Sequence, residues 1–359
     1  LRKFIYNLLL AANLFFGFSL LVSYLAVRIN PDTFILPAFF GLAYPYLLLA
    51  NIILAIIWLA LLKYEALISV FFIALGFTHL SNYIRIGKPS GDTTNTFKVL
   101  SYNLRLFNIY EGSEANSEKK IINFLKAQKA DILCLQEFYV SGVPSQKDAS
   151  LRNALGVEYY SHIKVIGSGS NKYYGIVTYS RFPIIRKGEI IHPGSSSLSI
   201  FSDIVIDQDT FRIFNNQLQS YRLRRMERSF LEEITSPVEN ETFDEVKNLS
   251  VSLKKGFIVR AVQAELVKAQ INQSPYPVIV AGDFNDTPVS YSYRKIRKGL
   301  NDAFVSSGYG AGFTYKGNYP ANRIDYILYD NALESRYFEI FKVRYSDHYP
   351  VAACFRKND

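Results

Sequence analysis

Carboxylates and amides recur in this chain at the ends of short apolar runs. Asn103 follows KVLSY, Glu137 follows DILCLQ, Asp283 and Asn285 follow PVIVAG, Asp325 follows RI, and the Asp347–His348 pair precedes YPVAACF. Hard oxygen donors of this kind suit Mg²⁺ or Mn²⁺, ions that keep several waters and take one or two carboxylates along with substrate phosphate oxygens. One acid at a strand end is ordinarily a cap or a solvated group. Several of them, each closing an apolar run, indicate a site.

The elements that must carry these residues alternate from residue 97 onward. FKVLSYNLRLF reads as a buried strand, residues 117–129 as a helix, and residues 130–138 as a second buried strand. Residues 174–179, 200–206 and 211–218 read as further strands, the last two joined by a hairpin turn at 207–210. Residues 222–255 are charged and read as helical or irregular, and residues 256–272 as an amphipathic helix. Many strands with few crossover helices imply a four-layer α/β sandwich, two packed mixed β-sheets flanked by helices, rather than a doubly wound sheet. No internal repeat is apparent. The only cysteines, Cys134 and Cys354, lie in apolar runs and read as two buried thiols, with a disulfide left open.

SYNLR, LQE, YSRFPI, GDFND, RIDYIL and SDHYPV occur here in the order found in the endonuclease/exonuclease/phosphatase superfamily, which this chain resembles over nearly all of residues 97–356. That superfamily includes pancreatic-type deoxyribonucleases, apurinic endonucleases, neutral sphingomyelinases and inositol-polyphosphate 5-phosphatases. The resemblance implies a metal-dependent phosphoester hydrolase. Glu137 would be the principal metal ligand, with Asn103 beside it and Asp347 supporting the metal or its waters. Asp283 would orient or deprotonate the attacking water, and Asn285 would hold a phosphate oxygen. His348 would contact the scissile phosphate, its imidazole held by Asp325. One position departs from the pattern: where the family usually has Asn-x-His-Leu, this chain has Asn215-Asn216-Gln217-Leu218. Asn215 still matches. Gln217 can donate a hydrogen bond to a phosphate oxygen but cannot carry a proton. A natural variant, a weakened or specialised enzyme and an introduced substitution all remain open.

Residues 1–88 read differently. Three apolar stretches, 4–27, 34–62 and 66–83, each come near the ~20 residues that cross a ~30 Å hydrocarbon core, and together they predict a transmembrane anchor of about three helices. Pro37 and Pro45 are expected to bend or delay the second. Trp58, Tyr44, Tyr46, Tyr64 and Tyr83 are placed as interfacial or cavity-facing aromatics. Residues 89–96 form the linker, SGDTTN being polar and aperiodic, and residues 97–359 the catalytic domain. The chain opens on Leu1 rather than Met, which suggests that residues precede it. Arg2, Lys3 and Lys63 would lie on one side of a bilayer and Arg28, Arg85 and Lys88 on the other, so the positive-inside rule gives a tie. The reading favours an integral protein of a bacterial inner membrane with an extracytoplasmic catalytic domain. His79 is expected near a membrane interface, and His162 and His192 on surface loops.

The formal net charge of +9 suits an anionic substrate without marking a nucleic-acid binder. Basic clusters at 222–228 and 294–298 read equally as solvated helix faces or as contacts for phosphates or anionic headgroups. Three functions follow: a phosphodiesterase acting on phospholipid or sphingolipid headgroups, a membrane-tethered nuclease, and a binding protein that kept the fold after losing the histidine at position 217. The expected partners are a phosphate-ester substrate and the lipid bilayer, with no obligate protein partner.

Overall fold

Period-two alternation governs the strands and decides which side chains meet between the sheets. In chain order the strands are β1 (Ile84–Arg85), β2 (Phe97–Asn103), β3 (Ile132–Ser141), β4 (Tyr160–Gly167), β5 (Lys172–Ser180), β6 (Ile184–Ile190) and β7 (Leu198–Ile206). They continue with β8 (Asp209–Gln217), β9 (Val278–Asp283), β10 (Asn301–Asp302), β11 (Gly310–Ala311), β12 (Asp325–Tyr329), β13 (Leu333–Ile340) and β14 (Val351–Lys357). The structure, a computed structural model, describes all residues except 88–90, 112–113, 157, 168–170, 222–242, 318–321 and 359. Two six-stranded sheets run in the orders β10-β12-β9-β8-β7-β6 and β13-β14-β2-β3-β5-β4. Each contains one parallel pair, β8–β9 and β2–β3.

Val99, Ile132, Cys134, Ile213, Ile279, Ala281, Ile327 and Ala353 meet between the sheets. The alternate residues Leu100, Leu133 and Leu135 face outward beneath the helices Glu114–Gln128 and Pro144–Leu155. On the other sheet Val278, Val280 and Leu328 face outward beneath Phe243–Asn272 and Tyr291–Arg297. Each fully buried aliphatic contributes about 1.5–3 kcal/mol relative to exposure. The result is the four-layer sandwich expected from the sequence. Cys134 and Cys354 are free, buried thiols. The helix predicted from residue 256 begins earlier, at Phe243. The basic cluster at 222–228 lies outside the described residues.

Five helices precede this sandwich: α1 (Arg2–Leu25), α2 (Leu36–Leu42), α3 (Tyr44–Ala60), α4 (Ala66–Leu75) and α5 (Phe77–Leu80). The expected count of about three spans is not supported. Among the described residues one helix, α1, is long and apolar enough to cross a membrane, joined by a second if α2 and α3 count as one span bent by 67°. Pro37 and Pro45 each stand in the first turn of their helix, where proline is tolerated and a preceding helix is not continued. The third apolar stretch breaks at Gly76 into a ten-residue and a four-residue helix. Mean apolarity counted its residues correctly and missed the break.

This helical layer buries several polar side chains beside an apolar core and leaves many large apolar ones exposed. Asn13, Ser19, Ser23, Asn51 and Ser69 are buried, whereas Phe4, Leu8, Phe15, Ile53, Ile56, Leu59, Leu67 and Phe71 are exposed. The buried groups are hydrogen-bonded across helices: the Asn13 amide donates to Glu65 O (3.0 Å), the Asn51 amide to Phe16 O (3.0 Å), and Ser69 to Asn13 Oδ1. The aromatics divide, with Trp58, Tyr44 and Tyr83 inside and Tyr46 and Tyr64 exposed.

His162 and His192 are not surface residues. His162 lies on β4 and pairs with Ser202 Oγ (3.0 Å), and His192 pairs with Ser199 Oγ (2.8 Å); both are buried. His192 does lie in the connection between β6 and β7, but hydroxyls on β7 supply partners that let both imidazoles be buried. Burial pushes both rings down to about 4 from the ordinary 6.5. Between those values the unfolded chain binds more protons than the folded one, so stability falls as pH drops from about 6.5 toward 4. Thermal melts at pH 7.5 and 5.0 are expected to show a smaller acid-side loss in His162→Asn/His192→Gln than in the parent.

Candidate active site

Four strands end at the same edge of the sandwich with an inward-facing polar residue. Asn103 continues the inward row of Val99 and Ser101, Gln217 that of Ile213 and Asn215, and Asp283 that of Ile279 and Ala281. Asp325 opens β12 on the row of Ile327. In register, Asp283 stands opposite Gln217 on one side and Asp325 on the other. Glu137 arrives by a different device. The β3–β5 register shifts between Leu135 and Phe138, and Glu137 takes a left-handed φ of 49°. This bulge keeps Phe138 on the outer core while aiming the carboxylate at the site. Gly282, at φ 137°, is required by close approach: a Cβ there would lie 2.0 Å from Asn216 O.

Asp283 is the hub. Its Oδ2 accepts from the Asn103 amide (3.0 Å) and the Asn285 amide (2.9 Å), and its Oδ1 accepts from the Asn285 backbone N–H (2.8 Å). Asn285, at φ 51°, also donates to Leu218 O (3.0 Å). The Asn103 amide reaches Glu137 Oε1 (3.3 Å), which also accepts from Gln217 Nε2 (3.0 Å). His348 Nδ1 lies 3.0 Å from Asp325 Oδ2, and its Nε2 faces Asp283 Oδ2 at 3.9 Å. The Asp347 carboxylate sits 3.4 Å from Arg105 Nε.

Eight of the nine residues singled out from the sequence therefore form one network. The ninth, Asn215, is not brought to it. Its amide donates to Val177 O (2.9 Å), and its Oδ1 accepts from Gln136 (2.7 Å), within the space between the sheets. Sequence reasoning missed Arg105, which the SYNLR motif contains, and Tyr315, whose ring packs edge-on against His348 at 5.1 Å. Arg105 through Asn108 all have left-handed φ near 50°, rare for non-glycine residues. Buried Phe107 and a hydrogen bond from the Asn108 amide to Tyr345 O (2.7 Å) hold that turn.

The electrostatics follow from crowding. Desolvation raises the Asp283 carboxyl well above its usual range, partly offset by His348 and reinforced by Asp325. Desolvation likewise raises Glu137, offset by His348 and Asn103 and reinforced by Asp347. Burial would lower His348, but Asp325 and then Asp283 outweigh it and hold the imidazole well above 6.5. Four carboxylates thus gather with one imidazole and one guanidinium, Asp283 and Asp325 fully buried and Asp347 and Arg105 partly open to solvent.

Such an oxygen-rich set fits a hard divalent cation. Asp283, Asp325 and His348 bring ligand atoms within 4.8 Å of one another. That trio is better described as an acid–base pair with its acceptor, because His348 Nδ1 is already engaged by Asp325. Glu137, with Asn103 and Asp347 close by, is the group left to hold an ion.

Two packed mixed sheets with helices outside, and a carboxylate–imidazole site where their strands end, define a phosphoester-hydrolase fold. The chain belongs to the endonuclease/exonuclease/phosphatase family, whose model matches residues 100–348. Enzymes of this family hydrolyse phosphoester bonds and are generally dependent on divalent metals. Residues 4–83 match a separate domain family of unknown function. No curated protein matches the chain. Among solved structures it is similar to an endonuclease/exonuclease/phosphatase from Bacteroides vulgatus (17% identity, TM-score 0.55, 73% of this chain and 99% of that one). It is also similar to a D. rerio TDP2 humanised by 14 mutations (14%, 0.54, 74% and 100%). A third is a mannosyl-6-phosphatase from Bacteroides thetaiotaomicron (17%, 0.50, 72% and 99%). At these identities the likeness concerns the fold.

A cation that relieves the acid cluster stabilises the folded state by mass action. Saturating Mg²⁺ is expected to raise the melting temperature by several degrees over EDTA. Glu137→Gln should abolish that increment while raising the metal-free melting temperature; an undiminished Mg²⁺ increment in the variant would remove Glu137 from the metal site.

Proposed function

We propose that this chain is a membrane-anchored, Mg²⁺-dependent phosphodiesterase that acts on the headgroups of phospholipids or sphingolipids. In this reading residues 1–88 are the anchor, 89–96 the linker and 97–359 the catalytic domain. The protein belongs to a bacterial inner membrane with its catalytic domain on the extracytoplasmic side. The observation carrying the lipid assignment is the contact between the N-terminal helical layer and the rim of the site. Gly41 on α2 approaches Val289 O so closely that a Cβ would lie 2.3 Å from it. Val289 is four residues past Asn285, on the loop leaving β9. Lipid-facing helices fixed beside the site would present bilayer phosphates at high effective concentration.

Glu137, Asn103 and Asp347 would hold Mg²⁺, or Mn²⁺, which supplies Lewis-acid stabilisation of phosphoryl oxygens when bound. Asp283, kept basic by burial yet anchored by Asn103 and Asn285, orients the attacking water and accepts its proton. The Asn285 amide steadies a phosphate oxygen. His348, charged and held at Nδ1 by Asp325, donates from Nε2 to the departing oxygen. Gln217 adds a neutral donor where relatives carry a second histidine, and Asn215 secures the strand end beneath it through Gln136.

A second reading, a tethered nuclease, draws support from exposed Arg294 and Lys298 beside Tyr291 on the catalytic unit. The discriminating assay is product release by the full chain in Mg²⁺ and in EDTA. Sphingomyelin, glycerophospholipid vesicles, DNA, RNA and inositol phosphates form the panel, with Gln217→His alongside. Mg²⁺-dependent headgroup release is expected, faster in Gln217→His because that position then carries a proton-transfer group. Nucleic-acid cleavage without lipid turnover would replace the first reading with the second. Silence of both proteins across the panel would favour a binding protein.

A further inference from the structure

The passage from the helices into the sandwich, residues 82–85, touches segments that lead directly to the Asp325–His348 pair. Ile84 and Arg85 form β1 and pair antiparallel with Ala311 and Gly310 of β11. Tyr83 O accepts a hydrogen bond from Gly312 N (2.8 Å). Two residues further, Thr314 Oγ1 accepts from the backbone N–H groups of Ile324 (3.0 Å) and Asp325 (3.1 Å). Thr314 O in turn accepts from Tyr349 N, next to His348, and Lys316 N donates to Asp347 O (2.9 Å). Thr314 therefore bonds the chain on both sides of the imidazole–carboxylate pair, and Tyr83 fixes the segment that leads from β11 to Thr314.

A second connection runs through Arg323, which is fully buried. Its Nη1 donates to Asn82 O (2.8 Å) while its Nη2 grips both oxygens of Asp302. The guanidinium lies 4.5 Å from the Phe304 ring centroid and 4.8 Å from that of Tyr326. Asn82 Oδ1 accepts from Arg297 Nη1 (2.7 Å). Tyr326, one residue past Asp325, is itself fixed, its hydroxyl donating to Arg323 O (2.7 Å) and Asp286 O (2.8 Å). A buried guanidinium is strongly destabilising if left unpaired. Here part of its pairing comes from the N-terminal helical unit and part from the catalytic one.

We propose that residues 82–85, acting through Arg323 and Thr314, form a strut that holds Asp325 and His348 at their working separation. The N-terminal helices are then a structural part of the active site as well as an anchor, and Asn82, Thr314 and Arg323 are positioning residues. The inference rests on the roles given above to Asp325 and His348. It does not depend on the substrate being a lipid. Misplacing a reacting group by about 1 Å can cost about 10²-fold in rate, so modest loosening of the strut has a large effect on turnover.

The test uses the full chain in detergent micelles with a small soluble phosphodiester, bis(p-nitrophenyl) phosphate, which removes membrane presentation from the measurement. Arg323→Lys keeps a charge for Asp302 but loses the two-pronged reach to Asn82 O. Thr314→Val removes the shared acceptor. Asn82→Ala, which keeps the carbonyl that Arg323 grips but deletes the Arg297 bond that fixes residue 82, loosens the strut from its other end and covers the case in which either fails to fold. With only four histidines in the chain, ¹⁵N-histidine NMR reports the His348 Nδ1 proton separately from activity. The strut predicts a kcat loss approaching about a hundredfold for Arg323→Lys and Thr314→Val, and a smaller one for Asn82→Ala. KM should stay within about twofold, and the His348 Nδ1 signal should shift or broaden. Unchanged kcat in the folded variants, or a loss with the His348 signal intact, overturns the strut. His348→Ala is run in parallel: if it leaves turnover unchanged, the site roles fail instead.

Discussion

Everything at the catalytic edge depends on crowding carboxylates where water is largely excluded. Asp283 and Asp325 converge because two sheets pack face to face with their inward rows meeting at one edge, while a β3 bulge brings Glu137 there and the loop before β14 brings Asp347. Ionising so many acids there is costly, and the surroundings offset the cost in three ways. Amide donors from Asn103, Asn285 and Gln217 point at the carboxylates. His348 and Arg105 bring positive charge. The remaining excess of negative charge is what a divalent ion would neutralise, so the same crowding that destabilises the metal-free site creates affinity for the metal.

The helical layer extends this logic outward. Its buried asparagines and Ser69 bond across the helices while many large apolar side chains, Phe4, Leu8, Ile56 and Leu59 among them, face out. The layer is also joined to the sandwich by a β-strand pairing, by a glycine packed on a backbone carbonyl, and by a buried arginine pairing with both units. The N-terminal helices and the sandwich are thus one packed structure.

Much of this was legible in the sequence because alternation and strand-end chemistry are local. KVLSYN, VIVAGD and DYILY each show which residue faces inward, and the motif order gave the family. Other features were set by contacts distant in the chain. Asn215 matches the motif, yet Gln136 and Val177 draw its side chain away from the acids. His162 reads as a surface residue and is still buried, because Ser202 on a strand of the other sheet provides its partner. Arg105 enters the site through a left-handed turn of four non-glycine residues that no propensity would suggest. The apolar stretch at 66–83 has the composition of a span but breaks at Gly76. Composition records how apolar a segment is and not where its backbone turns.

The central claim is that His348, oriented by Asp325, transfers a proton during phosphoester cleavage supported by a divalent ion. Single-turnover hydrolysis of a soluble phosphodiester by the full chain, comparing the parent with His348→Ala in Mg²⁺ and in EDTA, tests it most directly. Turnover is expected only with Mg²⁺, with a loss of about 10²–10⁴-fold in His348→Ala. Cleavage in EDTA, or an undiminished rate in His348→Ala, would contradict it.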